Sequence, residues 1–491
     1  MNFIEDVLER FPSARPALLA IDEHGDRRVW HFGEVIAISA GVSGALAARG
    51  IGRGDVVMTL LGNRIEWVLT VLACWRMGAV ALPLSTQLRA EDVAHRVAAS
   101  GAGVCIAESE LVDLLPGSVE VIDMGQFAVI LDEDRPQETP AAIADLDPAE
   151  PALIVFTSGT TGRPRGAVHG AGYLLGQRTQ ATRWLGAGPG ELVWCTTATG
   201  WSKSARNVFV APWLCGAAAM LVDGRFDPAE RLEMIEREGV DVLCQAPTEY
   251  RLLAKRGDLG GLSAVRRMVS AGEALNPEVI QAFRETLGIE ISDGYGQTET
   301  GQITGNLVDE PVRDGSMGRP LPGIETRVDA PAGAPGELLI RASTCPTFFS
   351  GYLGDEPGAN AARLVDGEWW RTGDVVRADE SGYLFYEGRN DDLILSSGYR
   401  IGPFEVESAL LAHPAVAEAA AVSHPDPERG AVVRAVVVLR EGEPGEALIR
   451  ELQEHVKATT APYKFPRIVE FADDLPKTES GKIKRAELRG F

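Results

Sequence analysis

No two of the six cysteines (Cys74, Cys105, Cys195, Cys215, Cys244 and Cys345) stand at CxxC spacing, and the seven histidines do not gather near them. That argues against a structural zinc site and fits thiols kept reduced. Basic residues are scarce as well: 47 Lys plus Arg face 70 Asp plus Glu, a formal net charge of −23. A chain this acidic is a poor partner for nucleic acid or for an anionic membrane surface. Long hydrophobic runs are also missing. The longest uncharged apolar stretch, Val208 to Val222, is shorter than the ~20 residues of a spanning helix. Pro212 and Gly216 interrupt it, so it reads as buried core. The N-terminal stretch is charged throughout and lacks the apolar region of a secretory signal. A cytoplasmic protein with no membrane span is the expectation; its oligomeric state is not legible.

What is present is an ordinary globular composition: 491 residues, 45% hydrophobic and 24% charged. That length suggests two to four domains or subdomains. Helix-like and strand-like pieces alternate over the first ~110 residues. Phe32 to Arg49 and Ile65 to Met77 read as helices, the second stopped by Gly78; Asp55 to Leu61 and Ala79 to Leu84 read as buried strands. The rhythm returns between Gly190 and Ser292, which implies mostly parallel sheets covered by helices. From about Gly315 to Gly388 the texture becomes short β-rich pieces between Gly and Pro turns, expected to form a small antiparallel sheet or barrel. A polar knot, Arg389-Asn-Asp-Asp392, precedes a last α/β stretch. From Lys457 to Phe491 the local charge is +3, which suits either a solvated face or a segment turned toward an anionic cofactor.

Two loops carry most of the chemistry. In Leu153 to Val168 an apolar run feeds four hydroxyls (Thr157, Ser158, Thr160, Thr161), three glycines (Gly159, Gly162, Gly166) and two arginines (Arg163, Arg165). Glycines let a backbone approach an anion, and N–H groups, hydroxyls and guanidinium groups donate to phosphate oxygens. The spacing is not that of a Walker loop. In Ile291 to Gly301 an apolar strand runs into Tyr295, Thr298 and Glu299. An aromatic ring there can stack on a base, a hydroxyl can hold phosphate, and a carboxylate can ligate Mg²⁺; a plain strand-to-helix loop is the competing reading.

With both loops in view, the chain resembles the adenylate-forming superfamily of acyl-CoA synthetases, beetle luciferases and peptide-synthetase adenylation domains. Further matching segments follow in family order: Ser270 to Leu275, Trp370 to Asp374, Glu387 to Asp392, Ser396 to Arg400 and Pro476 to Arg485. Within the superfamily, Thr199 to Ser204, Gln245 to Thr248 and Ser397 to Glu407 look most like medium-chain acyl-CoA synthetases.

The resemblance implies an α/β fold. A large N-terminal part, residues 1–390, would hold two layered α/β subdomains and a small β-barrel-like one; a small mobile C-terminal α+β domain would span 391–491. It implies a two-step reaction: a carboxylic acid and ATP, with Mg²⁺, give an acyl-adenylate and pyrophosphate, and the acyl group then passes to coenzyme A. Thr157, Ser158, Gly159, Thr160, Thr161, Gly162, Arg163 and Arg165 would wrap the phosphates; family members often carry lysines where Arg163 and Arg165 stand. Gly272, Glu273, Ala274, Asp293, Gly294 and Tyr295, continuing into Gly296 and Gln297, would form the adenine side, with Asp374 and Arg389 at the ribose. Lys482 would stabilise charge developing on the α-phosphate, alongside Thr298 and Glu299, with Glu299 the Mg²⁺ ligand. Lys484 and Arg485 read as solvated tail residues. Asp391 would be the hinge. Ser397, Gly398, Tyr399, Arg400, Arg429, Tyr463, Lys464 and Phe465 would meet CoA.

For the acyl group the resemblance points to Trp201 as a lining residue and to Gly296. Acetate-specific relatives carry a Trp at the latter position, so glycine is expected to leave a deeper channel. No acidic residue lies between Ala198 and Phe209, which disfavours an amino-acid substrate. The expected activity is an AMP-forming acyl-CoA synthetase acting on an apolar acid, a medium-chain fatty acid or similar. The alternatives are an aryl- or branched-acid CoA ligase, or an enzyme loading a stand-alone carrier protein.

Overall fold

A computed structural model describes residues 1–132, 138–157, 164–224, 226–256, 259–262, 264–273, 275, 277–356, 358–396, 399–440, 442–477 and 483–489; at 256, 261 and 400 it describes the backbone alone. Local signals set many of the element ends. The helix Ile65–Met77 stops where Gly78 takes φ +79 and returns its N–H to Cys74. The helix Pro228–Glu238 starts where Asp227 accepts from the N–H groups of Ala229 and Glu230, and ends at Gly239 with φ +67. Both use a side-chain or left-handed cap for backbone groups the helix leaves unpaired.

Among the described residues the strands form five sheets. The largest has nine strands, and its central members, from Ile291–Gln297 through Arg267–Ala271, Val242–Gln245, Leu192–Cys195 and Ala218–Val222 to Pro16–Ile21, run parallel. A seven-stranded sheet takes in Val56–Leu60, Val80–Leu84, Pro151–Thr157 and Arg165–Gly170. Helices fill the space between these two sheets, and Trp67, Trp75, Phe209 and Trp213 meet there edge-on or tilted. The expected core run after Val208 is buried there, its first turn π-helical at Arg206–Val210. The β-rich stretch is a five-stranded antiparallel sheet built around Trp369–Ala378.

The C-terminal portion is smaller. Its three-stranded sheet, Val416–Asp426, Gly430–Leu439 and Ile468–Phe471, packs on the helices Pro403–Leu411 and Glu446–Thr459 through Val406, Leu410, Leu452 and Val456. All six cysteines are free, and no described helix is long and apolar enough to cross a membrane.

Candidate active site

The strand Ile291–Gln297 ends beside the strand Trp369–Ala378, and their meeting point is Asp374. Pairing with Leu384–Arg389 sets Asp374 opposite Arg389. The carboxylate, 6% exposed, accepts from the Tyr295 hydroxyl, from Gln297 Nε2 at 2.9 Å, from Arg389 Nη1 at 3.4 Å and from Tyr386 Oη at 3.5 Å. Gln297 is held in turn by Trp370 Nε1 at 3.2 Å and by the Thr372 carbonyl at 2.8 Å. Burial, reinforced by the Asp374 charge, pushes the Tyr295 and Tyr386 hydroxyls well above their usual range, so both remain donors. The expected ribose ligand is therefore already the centre of a protein network.

Behind Tyr295, Asp293 is almost fully buried. Burial raises its carboxyl to about 8, against the backbone N–H groups of Gly294 and Leu275 and the charge of Lys203. Lys203 donates to the Ala271 carbonyl and stands 2.7 Å from where a Cβ on Gly272 would lie. Gly272 itself has φ +107, so the bend there suits only glycine. Glu273 accepts from Thr248 at 2.8 Å and from Arg251 at 3.3 Å. Gly294 faces Gln302 and Trp184 so closely that a side chain would overlap them.

On the phosphate side, Thr157 ends its strand opposite Arg165. The Arg165 guanidinium lies over the Tyr352 ring at 3.6 Å and reaches Asp355 at 3.4 Å. Arg363, before the backbone of Tyr352 or the charge of Arg165, holds Asp355 at about 2. Tyr352 Oη donates to Glu299 Oε1 at 2.6 Å, which ties the first loop to the second. Thr298 lies in the turn between Gln297 and Gly301.

One expectation about the acyl side changes. A Cβ on Gly296 would overlap the Gly301 carbonyl oxygen across its own hairpin. The missing side chain makes room for backbone, and the expected deeper channel at residue 296 is not what that glycine creates. Trp201 is half-buried, at the start of the turn that its carbonyl closes with Ser204. The same segment holds two basic groups that the sequence reading passed over, Lys203 and the buried Arg206. Their signal was two cations in a segment with no acidic residue to pair them.

In the C-terminal portion Asp391 accepts from Arg389 Nε at 3.4 Å. Tyr399 and Tyr463 are exposed and stack at 4.2 Å, and Lys464 pairs with Glu405. Phe465 carries Lys457 and Arg467 over its ring at 4.3 and 4.8 Å. Arg429 caps the turn at Asp426 through its backbone N–H at 2.8 Å. Arg485 is no solvated tail residue: it forms a two-pronged pair with Glu407 at 2.7 and 2.9 Å. Lys484 pairs with Glu487 at 3.0 Å. Ser158, Gly159, Thr160, Thr161, Gly162, Arg163, Ala274, Ser397, Gly398 and Lys482, and the side chain of Arg400, lie outside the described residues.

The profile of the AMP-binding enzymes matches residues 4–353, and that of the AMP-binding enzyme C-terminal domain matches residues 405–482. An uncharacterized acyl-CoA ligase of Bacillus subtilis, YtcI, is 39% identical over 98% of this chain and 94% of its own. The mitochondrial acyl-coenzyme A synthetase ACSM3 of Mus musculus is 38% identical over 99% of this chain and 90% of its own. The crystal structure of the anthranilate CoA ligase AuaEII with anthranoyl-AMP superposes with a TM-score of 0.90 at 30% identity, over 100% of this chain and 97% of that one.

Proposed function

The chain belongs to the AMP-binding enzymes and is an acid–thiol ligase of the AMP-forming acyl-CoA synthetase class, and on that premise we propose how its own residues serve the two half-reactions. One observation carries the reading. Five separate segments converge through Arg165–Tyr352–Glu299 on one side of residues 295–299 and Tyr295–Asp374–Arg389 on the other.

In the first half-reaction Thr157 and Arg165, with the loop between them, bind the phosphates of ATP; Gly272, Glu273 and Asp293 to Tyr295 border the adenine; Asp374 and Arg389 meet the ribose. The acid's carboxylate attacks the α-phosphorus and pyrophosphate leaves. Lys482 and Thr298 stabilise the negative charge that builds on the α-phosphate oxygens, the point at which a fixed cation lowers the barrier. Glu299 suits Mg²⁺: among the described residues Tyr352 is its side chain's hydrogen-bond partner, on one oxygen, and Mg²⁺ needs few protein ligands beside phosphate and water. When bound, that ion would offset phosphate charge. In the second half-reaction the segment after Asp391 turns about that residue, with the boundary at 390/391, and Ser397 to Arg400, Arg429 and Tyr463 to Phe465 present CoA. Its thiol sulfur attacks the acyl carbon and AMP leaves.

The finer substrate, a medium-chain apolar acid, is supported by Trp201 and by the absence of acidic residues from Ala198 to Phe209. A cytoplasmic setting is supported by the free cysteines. The test is acid-dependent pyrophosphate release with a panel of aliphatic, branched and aromatic acids, with and without CoA, followed by mass analysis of the products. Acyl-CoA as the product supports the reading. An acyl-adenylate that accumulates in the presence of CoA would favour a carrier-protein acceptor instead.

A further inference from the structure

We propose that Arg206 binds a second anionic group on the acid substrate, so that the preferred acids are dicarboxylates, one carboxylate being activated and the other held by this guanidinium. The inference rests on the ligase reading above and departs from its apolar-acid reading of the substrate, giving the acid a second charged end. Arg206 is 3% exposed, yet among the described residues its Nε and Nη1 have no hydrogen-bond partner and no carboxylate pairs with it. A guanidinium stays protonated at any physiological pH. A buried charge without a counter-charge is costly, so a site that keeps one is built for an anion.

The surroundings fit that ligand. Gly301, at φ +66, has no side chain, and a Cβ there would lie 3.3 Å from Arg206 Nη1, so no side chain of residue 301 packs against that nitrogen. His169 is fully buried, and among the described residues neither ring nitrogen makes a well-aligned hydrogen bond. Burial, and then the charge of Arg206, depress it to about 3 against the pull of the Thr298 backbone, so the ring is neutral. The Tyr173 hydroxyl lies within reach of the same guanidinium. His169 lies against the backbone of Thr298, in the turn that meets the reacting end of the acid in the proposed site. Donors thus gather on the inner side of that turn. The phosphate-side Arg165 is half exposed, whereas Arg206 is enclosed, so a polyphosphate is not the anion this geometry serves.

The test uses the full-length enzyme with ATP, Mg²⁺ and CoA. Succinate, adipate and suberate are each compared with their own monomethyl ester, which has one carboxylate and a neutral far end; hexanoate and octanoate complete the panel. The readout is the ratio of kcat/KM for diacid over monoester, from pyrophosphate release. For at least one chain length the wild type should favour the diacid by about tenfold or more, and Arg206→Met should cut that ratio by about tenfold or more. Arg206→Lys, which keeps the charge without the planar fork, should fall between. The favoured diacid should also raise the melting temperature of the wild type and not that of Arg206→Met. If Arg206→Met does not fold, the Arg206→Lys ratio decides. A wild-type ratio at or below one for every length, or a ratio the variants leave unchanged, overturns the inference while leaving the ligase reading standing. No pyrophosphate from any acid overturns both.

Discussion

The Tyr295 hydroxyl donates to the Asp374 carboxylate, across 79 positions of sequence. That contact joins the end of a strand in the nine-stranded sheet to the middle of the antiparallel sheet. It orients a carboxylate whose other partners are Gln297, Tyr386 and Arg389, every one of them a donor.

Asp374→Asn follows directly from that arrangement. The amide removes the charge opposite Arg389 and turns an N–H group toward a donor. We expect a loss of about 2 kcal/mol of stability, since a buried donor loses its acceptor and the half-buried Arg389 loses one of its counter-charges. The KM for ATP should rise about tenfold or more. Thermal melts and the ATP dependence of pyrophosphate release check this; an unchanged KM would remove Asp374 from the nucleotide site.

Lys482→Ala separates the half-reactions. Adenylate formation should be abolished, because charge on the α-phosphate loses its fixed counter-charge. Thioester formation from preformed acyl-adenylate should be largely spared. An equal fall in both half-reactions, measured separately, would contradict the proposed turn about Asp391.

At residue 296 the close backbone of Gly301 decides the outcome. Gly296→Ala should force the hairpin apart at a cost of about 1–3 kcal/mol. The kcat/KM for acetate, butyrate, hexanoate and octanoate should fall together. A selective loss of the longer acids would restore the acyl-channel role.

Asp293 predicts a pH dependence of stability. Its carboxyl sits at about 8 in the folded protein, far above the ordinary 3.8. Between those values the folded state holds a proton that the unfolded state has released. Stability from this group is therefore complete below pH ~4 and is lost as the pH rises to ~8, with a limiting slope of about 1.4 kcal/mol per unit. His169 acts in the opposite sense: depressed to about 3, it costs stability as the pH falls below ~6.5. The wild-type melting temperature should thus fall between pH 6.5 and 8, and Asp293→Asn, neutral throughout, should flatten that fall. Equal slopes in both proteins would place Asp293 in its ordinary ionised state.

Much of the site was legible where a short segment carries its own chemistry. Trp370 to Asp374 and Ile291 to Gly301 were singled out as candidate site segments, and the structure brings both to one junction. The bridge between them and the phosphate loop was not legible, because Tyr352 belongs to no motif and reaches Glu299 only through the pairing of Gly351–Tyr352 with the strand Arg165–Gly170. Gly296 misled for a related reason. A missing side chain looks like open space until the facing strand is known.

The sequence by itself determined the alternation of helix and strand, the stop of the helix Ile65–Met77 at Gly78, and which residues bear donors and charges. Those follow from periodicity and backbone preference, which act over a few residues. Tertiary structure alone decided that Arg206 is buried with Nε and Nη1 unpaired among the described residues, that Asp374 is surrounded by donors, and that Arg485 belongs to Glu407. Charge and burial act through space, and here the groups that meet come from strands and helices tens to hundreds of residues apart, so no local pattern encodes which of them face each other.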